Sequence, residues 1–452
     1  MSALDKASKY SEKFKIDECE IVHIKKKITT VRITDSEVVE IKQNFDDGFG
    51  IRLIHEKKIS SFQTSNEDNI EKWIENSRKI NTHLKSREFW KSLPYTTKYN
   101  QIEGVWDGKL EQISGTNATD IAQTMINSAI HNKISAISGS LNIVSEYFEI
   151  SNSNGLELKD KATYISGIIN ADSEIGYSPV SGIGQECCRT LDKFPVEKIG
   201  EDAKKMCVES INPKKCDEGT YSIIFEPYSV GEILAFVFAS NFNFKTFLEK
   251  RSCFSNNFEN KIAVDEFSLI DDPLAPEGIG SKPFDDEGVK TNTNNLIEKG
   301  IFKNTFSNLF DAFKENRNST GNASRAGSPL GRNSDAIPIT APHNLKINNG
   351  EISREDMIKD TKQGLIVGRL WYTYAVNPIK GDFSCTARSG IRIIEDGEIK
   401  NPGTSVRIIH NLPKLLQNIS AIGNDQKNVL QWASLSSITP SIKVDEVSII
   451  PI

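Results

Sequence analysis

The stretch TYSIIFEPYSVGEILAFVFASNFNFKTFLEKR, residues 220–251, marks the point where the character of the chain changes. Its first residues predict a strand that ends at Pro227, because proline has no N–H group to donate to a strand ladder. A helix is expected next, with five phenylalanines after Pro227 and no charged residue between Glu232 and Lys245. The stretch therefore predicts a strand followed by an unusually apolar helix.

This apolar helix is predicted to be a core helix. Its apolar portion is shorter than the roughly 20 residues that span a bilayer, and Asn241 and Asn243 interrupt it. The side chains expected to pack against a sheet are Ile233, Leu234, Phe236, Val237, Phe238 and Phe244. The functional question is whether any part of this helix carries chemistry.

After this helix the sequence consists of short β runs separated by glycine, asparagine, aspartate and proline, with helices expected at 304–314 and 411–422. This pattern predicts a large, mainly antiparallel β domain over residues 216–452. The polar stretch INPKKCDEGT, immediately before it, is the expected domain boundary.

The N-terminal part predicts two mixed segments, 1–92 and 93–215. In the first, KITTVRI, EVVEIKQN, FGIRLIH and KISSFQT read as strands, with a break at Asp46-Asp47-Gly48, and a helix is expected at 67–85. In the second, a helix capped by Thr119 or Asp120 precedes a hairpin that turns at Asn154-Gly155, and another helix follows at 195–209. The predicted class is α+β: a mixed α/β N-terminal region followed by the β-rich domain.

Composition describes an ordinary globular chain. It has 26% charged and 37% hydrophobic residues, and its net charge of -6 argues against a dedicated nucleic-acid binder. No long apolar run or signal-peptide core is present, so a cytoplasmic protein is predicted. The seven cysteines are scattered without zinc-type C-x-x-C spacing, which favours structural thiols in a reducing compartment.

Catalytic motifs are scarce. The six histidines form no H-E-x-x-H pair, and G-x-S-x-G is absent. Within GDFSCTARSG, Ser384 or Cys385 is a candidate nucleophile with Arg388 as an anion partner; the alternative is a β-turn with an incidental cysteine. No histidine is close in sequence, and only the fold could bring His343 or His410 near.

A set of motifs in order carries a family resemblance. They are GFGIRLI, FQTSN, ISNSNG, KPFDDEGVKT, NLIEKG, STGNASR, PHNLKI, GLIVGRLW, NPIKGDFSCTARSGIRIIEDGEIKNP and LPKLLQNISAIGND. As a set spanning nearly the whole chain, they resemble the TldD/PmbA family of metalloprotease subunits. In the TldD branch, the helix that begins the C-terminal domain carries H-E-x-x-x-H, and a later cysteine completes the zinc site.

The resemblance implies that this chain is similar to the PmbA/TldE branch, which lacks those ligands. Alignment through Lys250-Arg251 places Val237, Phe238 and Phe242 at the degenerate metal-helix positions. Zinc needs imidazole, thiolate or carboxylate donors, and phenylalanine has no lone pair to offer. The resemblance further implies no cofactor in this chain, zinc only in a TldD-like partner subunit, and unfolded peptides as substrates.

Two regions are predicted to contact a peptide. The polar loop at 315–338 is either a flexible surface excursion or a peptide clamp, and the GDFS segment supplies a second patch. The candidate residues are Asn322, Ser324, Arg325, Arg332, Asp382, Ser384 and Arg388. Three functions stay open: a non-catalytic subunit of a heteromeric metalloprotease, a homodimeric peptide-binding or scaffold protein, and an independent peptidase using Ser384 or Cys385.

Overall fold

The structure, a computed structural model, describes residues 3–96, 98–431 and 435–452, with side chains from residue 7 onward. Its N-terminal region combines one large antiparallel sheet with five helices. The strands are β1 (Glu18–Thr34), β2 (Glu37–His55), β3 (Lys58–Thr64), β4 (Ala136–Asn152), β5 (Glu157–Ser173) and β6 (Val180–Cys188). The helices are α1 (Ala3–Lys13), α2 (Ile70–Asn81), α3 (Gly108–Glu111), α4 (Gly115–Ala129) and α5 (Val196–Glu209).

The six strands lie in the order β3-β2-β1-β4-β5-β6, so both predicted N-terminal segments contribute to one sheet. The predicted break at Asp46-Asp47-Gly48 is wrong: β2 runs through it, and Asp47 and Gly48 pair with Lys25 and Ile24 of β1. Pairing along the whole of β1 outweighs the local turn preference of these residues. The division at residues 92/93 stays a prediction.

Helices α4 and α5 pack together against one face of this sheet. Gly184 of β6 permits the close approach of α5, since a Cβ atom there would lie 1.8 Å from the carbonyl oxygen of Ile199. The cap of α4 differs from the prediction: Ser114 forms a capping box with Asn117, and the helix starts before Thr119. The hairpin at Asn154-Gly155 and the helix at 195–209 are confirmed.

Helix α2 ends earlier than predicted, and only some of its large apolar side chains are buried. Ile70 and Ile74 are fully buried in it, whereas Trp73 and Ile80 are 39% and 49% exposed. The buried pair packs against β1 and β2 in a small separate core.

The C-terminal domain contains seventeen strands and five helices among the described residues. The strands are β7 (Gly219–Phe225), β8 (Leu269–Asp271), β9 (Asn294–Glu298), β10 (Ile301–Phe302), β11 (Ala323–Ser324), β12 (Ile339–Thr340), β13 (Asn344–Ile347), β14 (Gln363–Val367), β15 (Arg369–Asn377), β16 (Asp382–Ser389), β17 (Arg392–Glu395), β18 (Glu398–Pro402), β19 (Val406–Asn411), β20 (Ile419–Ile422), β21 (Lys427–Leu430), β22 (Ser436–Thr439) and β23 (Ile442–Pro451). The helices are α6 (Pro227–Ile233), α7 (Phe244–Leu248), α8 (Leu309–Lys314), α9 (Arg354–Lys359) and α10 (Leu412–Gln417).

These strands form a nine-stranded sheet, a six-stranded sheet and the small β11–β12 ribbon. Only the β7–β14 and β13–β22 pairs are parallel among the described strands, which confirms the α+β class with a mainly antiparallel C-terminal domain. The helices predicted at 304–314 and 411–422 are shorter, and the second is followed by strand β20. Among the described residues, no helix combines the length and the apolar character that crossing a bilayer requires.

The largest hydrophobic core lies in this domain and is built around the segment that follows β7. Side chains of both large sheets, including Phe225, Leu345 and Phe383, meet Leu234 and Phe238 there. The apolar stretch that marked the domain in the sequence therefore forms the centre of its core.

Candidate functional site

The sequence predicted one apolar helix after Pro227. The segment 227–248 is helical, but it is not one regular helix. α6 passes into a π-helical turn, Leu234–Phe238, and then a 3₁₀ turn, Ala239–Phe242, before α7 begins. Asn241 ends the first part: its side-chain Nδ2 donates to the carbonyl oxygen of Val237 at 2.8 Å, and its Oδ1 accepts from the N–H of Cys253 at 3.0 Å. Asn243 caps α7 by accepting from the N–H of Lys245.

The three degenerate metal-helix positions point into the core. Val237, Phe238 and Phe242 are at most 2% exposed. The rings of Phe238 and Phe242 stack with centroids 4.6 Å apart, and the Phe242 ring also meets the edge of Phe302 at 5.2 Å. Zinc does not fit these positions, because their hydrocarbon side chains have no donor atoms and are enclosed by other hydrocarbon.

The outward face of the same segment is formed by other residues. Ala235 is half-buried, Phe236 is 36% exposed and Ser240 is exposed. Their positions i, i+1 and i+5 have the spacing of the histidine, glutamate and histidine in H-E-x-x-x-H. If the alignment of the motif is shifted by two residues from Val237, Phe238 and Phe242, the motif falls on this accessible face. The side chains there include no imidazole or carboxylate either.

The rest of the described chain offers no replacement cluster. Across residues 3–96, 98–431 and 435–452, no group of three or more histidine, cysteine, aspartate or glutamate side chains could hold a metal ion. The residues present thus do not fit the zinc that the resemblance associates with this helix.

Glu232 is the acidic residue within the segment 227–248, and its carboxylate already has partners. Its Oε1 lies 3.1 Å from the Nη2 atom of Arg369, and its Oε2 accepts from the N–H of Leu370 at 2.6 Å. Burial raises the pKa of Glu232, while Arg369 opposes that shift. A shallow cavity of about 290 Å³, lined mainly by Phe236 and residues 370–373, adjoins this pair.

Ser384 and Cys385 lack the surroundings of a nucleophile. Cys385 is 1% exposed, and burial, followed by the nearby Glu232 carboxylate, raises the pKa of its thiol. The pKa of His410 is lowered to about 4 by burial and Lys414. The Nε2 atom of His343 lies 2.7 Å from the carbonyl oxygen of Gly321, so it serves as a structural donor.

The strand β16 does bring Asp382, Ser384 and Arg388 onto one face, because side chains two residues apart share a face of a sheet. The alternate residues, including Cys385, point into the core. Ser384 is nevertheless only 6% exposed. Asp382 accepts from the Nδ2 atom of Asn411 at 2.8 Å, and Arg388 is exposed beside a second cavity. Peptide contact by this face stays a prediction.

The polar loop at 315–338 is folded onto the N-terminal sheet. Arg325 is 1% exposed, and its Nη2 atom lies 2.6 Å from Glu20 of β1. Arg332 is fully buried, and its guanidinium contacts Glu146, Asp160 and Asp286 at 2.7–2.9 Å. Peptide contact by these two arginines stays a prediction, and in this structure both are held within the protein: Arg332 by three carboxylates, and Arg325 by Glu20 and by the backbone carbonyl oxygens of Asp335 and Ala336.

The other two loop candidates are also held by the protein. Asn322 is 1% exposed, and its Nδ2 atom donates to Asp271 at 2.5 Å. Ser324 lies in the β11–β12 ribbon, half-buried, opposite Ile339. Nothing in the sequence pointed to this network, because its partners are separated by up to 305 residues.

The network continues across the sheet through Arg52. Its Nη2 and Nη1 atoms lie 2.6 Å from Glu20 and Glu287, respectively. Burial would raise the pKa of Asp286, but Lys282 and Arg332 hold it well below its ordinary value. The neighbouring Asp285 has its pKa raised by burial and by Glu287. The loop therefore joins the two parts of the chain through buried charges.

The fold and the helical segment 227–248 define a domain of the metallopeptidase type. The model of the PmbA/TldA metallopeptidase C-terminal domain matches residues 218–451, and that of PmbA/TldA metallopeptidase domain 1 matches residues 19–80. The chain belongs to the PmbA/TldD family.

Several known proteins are similar to this chain. The Metalloprotease PmbA homolog of Buchnera aphidicola subsp. Acyrthosiphon pisum is 25% identical over 440 residues, covering 92% of this chain and 90% of that protein. Metalloprotease PmbA of Escherichia coli O157:H7 is 26% identical over 282 residues, covering 61% of this chain and 56% of that protein. The crystal structure of TldE from Thermococcus kodakarensis shares the fold with a TM-score of 0.90 at 24% identity, covering 99% of this chain and 100% of that one.

Proposed function

We propose that this chain is a TldE/PmbA-like, non-catalytic subunit of a TldD/TldE-type zinc metalloprotease that acts on unfolded peptides. The observation that carries the proposal is the segment 227–248. Its buried metal-helix positions Val237, Phe238 and Phe242 are hydrocarbon, and its accessible positions Ala235, Phe236 and Ser240 carry no zinc ligand. Zinc and its activated water would therefore belong to a TldD-like partner with H-E-x-x-x-H.

In such a complex this subunit would act by placing the peptide. Hydrogen bonds and charge contacts that hold a substrate near the partner's metal raise the rate without any chemistry in this chain. Arg388 is the best-placed candidate, because its guanidinium is exposed on β16, unlike those of Arg325 and Arg332. A planar guanidinium can hold a peptide carboxylate or two carbonyl groups with defined geometry.

Reconstitution tests this proposal. Mixing the purified chain with an H-E-x-x-x-H relative from the same source is expected to create hydrolysis of an unfolded peptide that neither chain shows alone. Arg388→Gln should slow that hydrolysis while zinc stays in the partner and the complex stays intact. Arg407→Gln, which removes an exposed guanidinium from the neighbouring strand β19, is the matched control.

If the partner chain proves fully active by itself, the subunit role is wrong. If reconstituted activity appears but Arg388→Gln and Arg407→Gln both match the wild type, the subunit role survives and the role of Arg388 is wrong. Peptide binding by a stable homodimer without hydrolysis in any mixture would favour the scaffold alternative.

A further inference from the structure

A polar cavity of about 330 Å³ lies between the N-terminal region and the C-terminal domain. Helix α5 and strand β6 form one wall, and residues at the start of α6, β15 and β17 form the other. Its charged and aromatic lining includes Glu226, Tyr228, Arg354, Arg369, Arg392 and Lys427. The volume is in the range of small-ligand sites.

The cavity is lined by five cationic side chains, Lys205, Arg354, Arg369, Arg392 and Lys427, and by four acidic ones, Asp202, Glu209, Glu226 and Asp425. The Nη1 atom of Arg354 and the Nη2 atom of Arg392 lie 2.5 and 2.7 Å from the same oxygen, Oε1 of Glu226. Two guanidinium groups thus share one carboxylate. Asp425, a further acidic group of the lining, has both oxygens occupied by the N–H and hydroxyl groups of Ser441.

Two further cations are fixed beside this cluster by an aromatic ring. The guanidinium carbon of Arg369 lies 5.0 Å from the centroid of Tyr228, and the Nζ atom of Lys427 lies 4.4 Å from it. The hydroxyl of Tyr228 donates to the carbonyl oxygen of Gln185, which holds the ring in place. Cation–π contacts of this kind orient the two charges, each of which also has a carboxylate neighbour: Glu232 lies 3.1 Å from Arg369, and Glu186 lies 3.5 Å from Lys427.

The cluster also contains donors that the protein does not satisfy. Arg369 is 2% exposed, and its Nη1 and Nη2 atoms donate to Gln185 and Glu232. The Nε atoms of Arg369 and Arg392 are buried and find no hydrogen-bond partner within the described part of the chain. A buried donor without an acceptor is costly, so such groups usually mark a site for water or a ligand.

We propose that this cavity binds a small oxyanion, a phosphate or a carboxylate. Arg354 and Arg392 share a single carboxylate oxygen, and the Nε donors of Arg369 and Arg392 are unsatisfied, so the cluster has N–H groups that match the acceptor atoms of such a group. Its sources are a free phosphate compound or the C-terminal carboxylate of a peptide. The site lies wholly within this chain, so the inference is independent of the proposed pairing with a zinc subunit.

Titration calorimetry of the full chain in a chloride buffer tests this inference. The probes are inorganic phosphate, a tripeptide with a free C-terminal carboxylate, and the same tripeptide as its C-terminal amide. We expect saturable one-site binding of phosphate or of the free tripeptide. Arg354→Gln and Arg392→Gln should each weaken it roughly tenfold or more, whereas Arg407→Gln should leave it unchanged.

The outcomes separate the possible ligands. Binding of phosphate alone identifies a phosphate-type site, and binding of the free tripeptide but not the amide identifies a peptide carboxylate. Arg354 lies on the surface helix α9 with its side chain 35% exposed, so its variant tests the site even if Arg392→Gln fails to fold. No saturable heat from either anion up to about 10 mM, or equal binding by the Arg354→Gln and Arg407→Gln variants, would overturn the inference.

Discussion

Replacement of Arg332 by alanine is expected to lower the free energy of unfolding by about 3–5 kcal/mol. Its guanidinium is fully buried and contacts Glu146 at 2.9 Å, Asp160 at 2.7 Å and Asp286 at 2.8 Å. Without it, Glu146 and Asp160 lose their ion-pair partner in a low-dielectric interface, whereas Asp286 keeps its pair with Lys282. The cost arises from these uncompensated charges rather than from the lost attraction alone.

Urea unfolding, followed by both circular dichroism and tryptophan fluorescence, measures this loss. Arg388→Ala removes an exposed guanidinium from the same chain and is the matched control, with an expected change within about 0.5 kcal/mol. The loss of stability for Arg332→Lys should lie between the losses for Arg332→Ala and Arg388→Ala, because lysine keeps the charge but cannot hold several carboxylates with one rigid fork. An Arg332→Ala variant as stable as the control would show that the loop at 315–338 does not dock through this residue.

Replacement of Phe238 by alanine is expected to cost about 3–5 kcal/mol. The ring is 2% exposed and stacks on Phe242 in the main core, so its removal leaves a cavity that the surrounding sheets cannot close. The same unfolding measurement tests this prediction.

Phe236→Ala provides the control from the same helical segment. That ring is 36% exposed, so we expect a loss below about 1.5 kcal/mol. Equal losses for the two substitutions, or an unchanged unfolding midpoint for Phe238→Ala, would show that the inward and outward faces of this segment are assigned wrongly.

The apolar stretch after Pro227 shows what the sequence could and could not predict. The burial of most of its apolar side chains was predictable, because five phenylalanines dominate it, but Phe236, which was expected to pack inward, is 36% exposed. Its path was not: the helix passes through a π-helical turn and stops where Asn241 bonds to the carbonyl oxygen of Val237 and to the N–H of Cys253. The second of these contacts joins residues that only the fold brings together.

The location of charged side chains was the less predictable part of the site. Arg325 and Arg332 lie in a polar, glycine-containing loop, and such composition normally indicates solvent exposure. Their burial depends on acidic partners from strands β1 and β4 and from residues 285–287, far away in the chain. The cluster of Arg354, Arg369 and Arg392 was missed for the same reason, since its members come from separate elements.

The zinc content of the purified chain tests the central claim most directly. After incubation with excess zinc and dialysis, metal analysis should find far less than one zinc per chain. The chain alone should also fail to cleave an unfolded peptide such as casein, because Ala235, Phe236 and Ser240, like Val237, Phe238 and Phe242, provide no imidazole, thiolate or carboxylate. One tightly bound zinc per chain, with proteolysis that a chelator abolishes, would contradict the account.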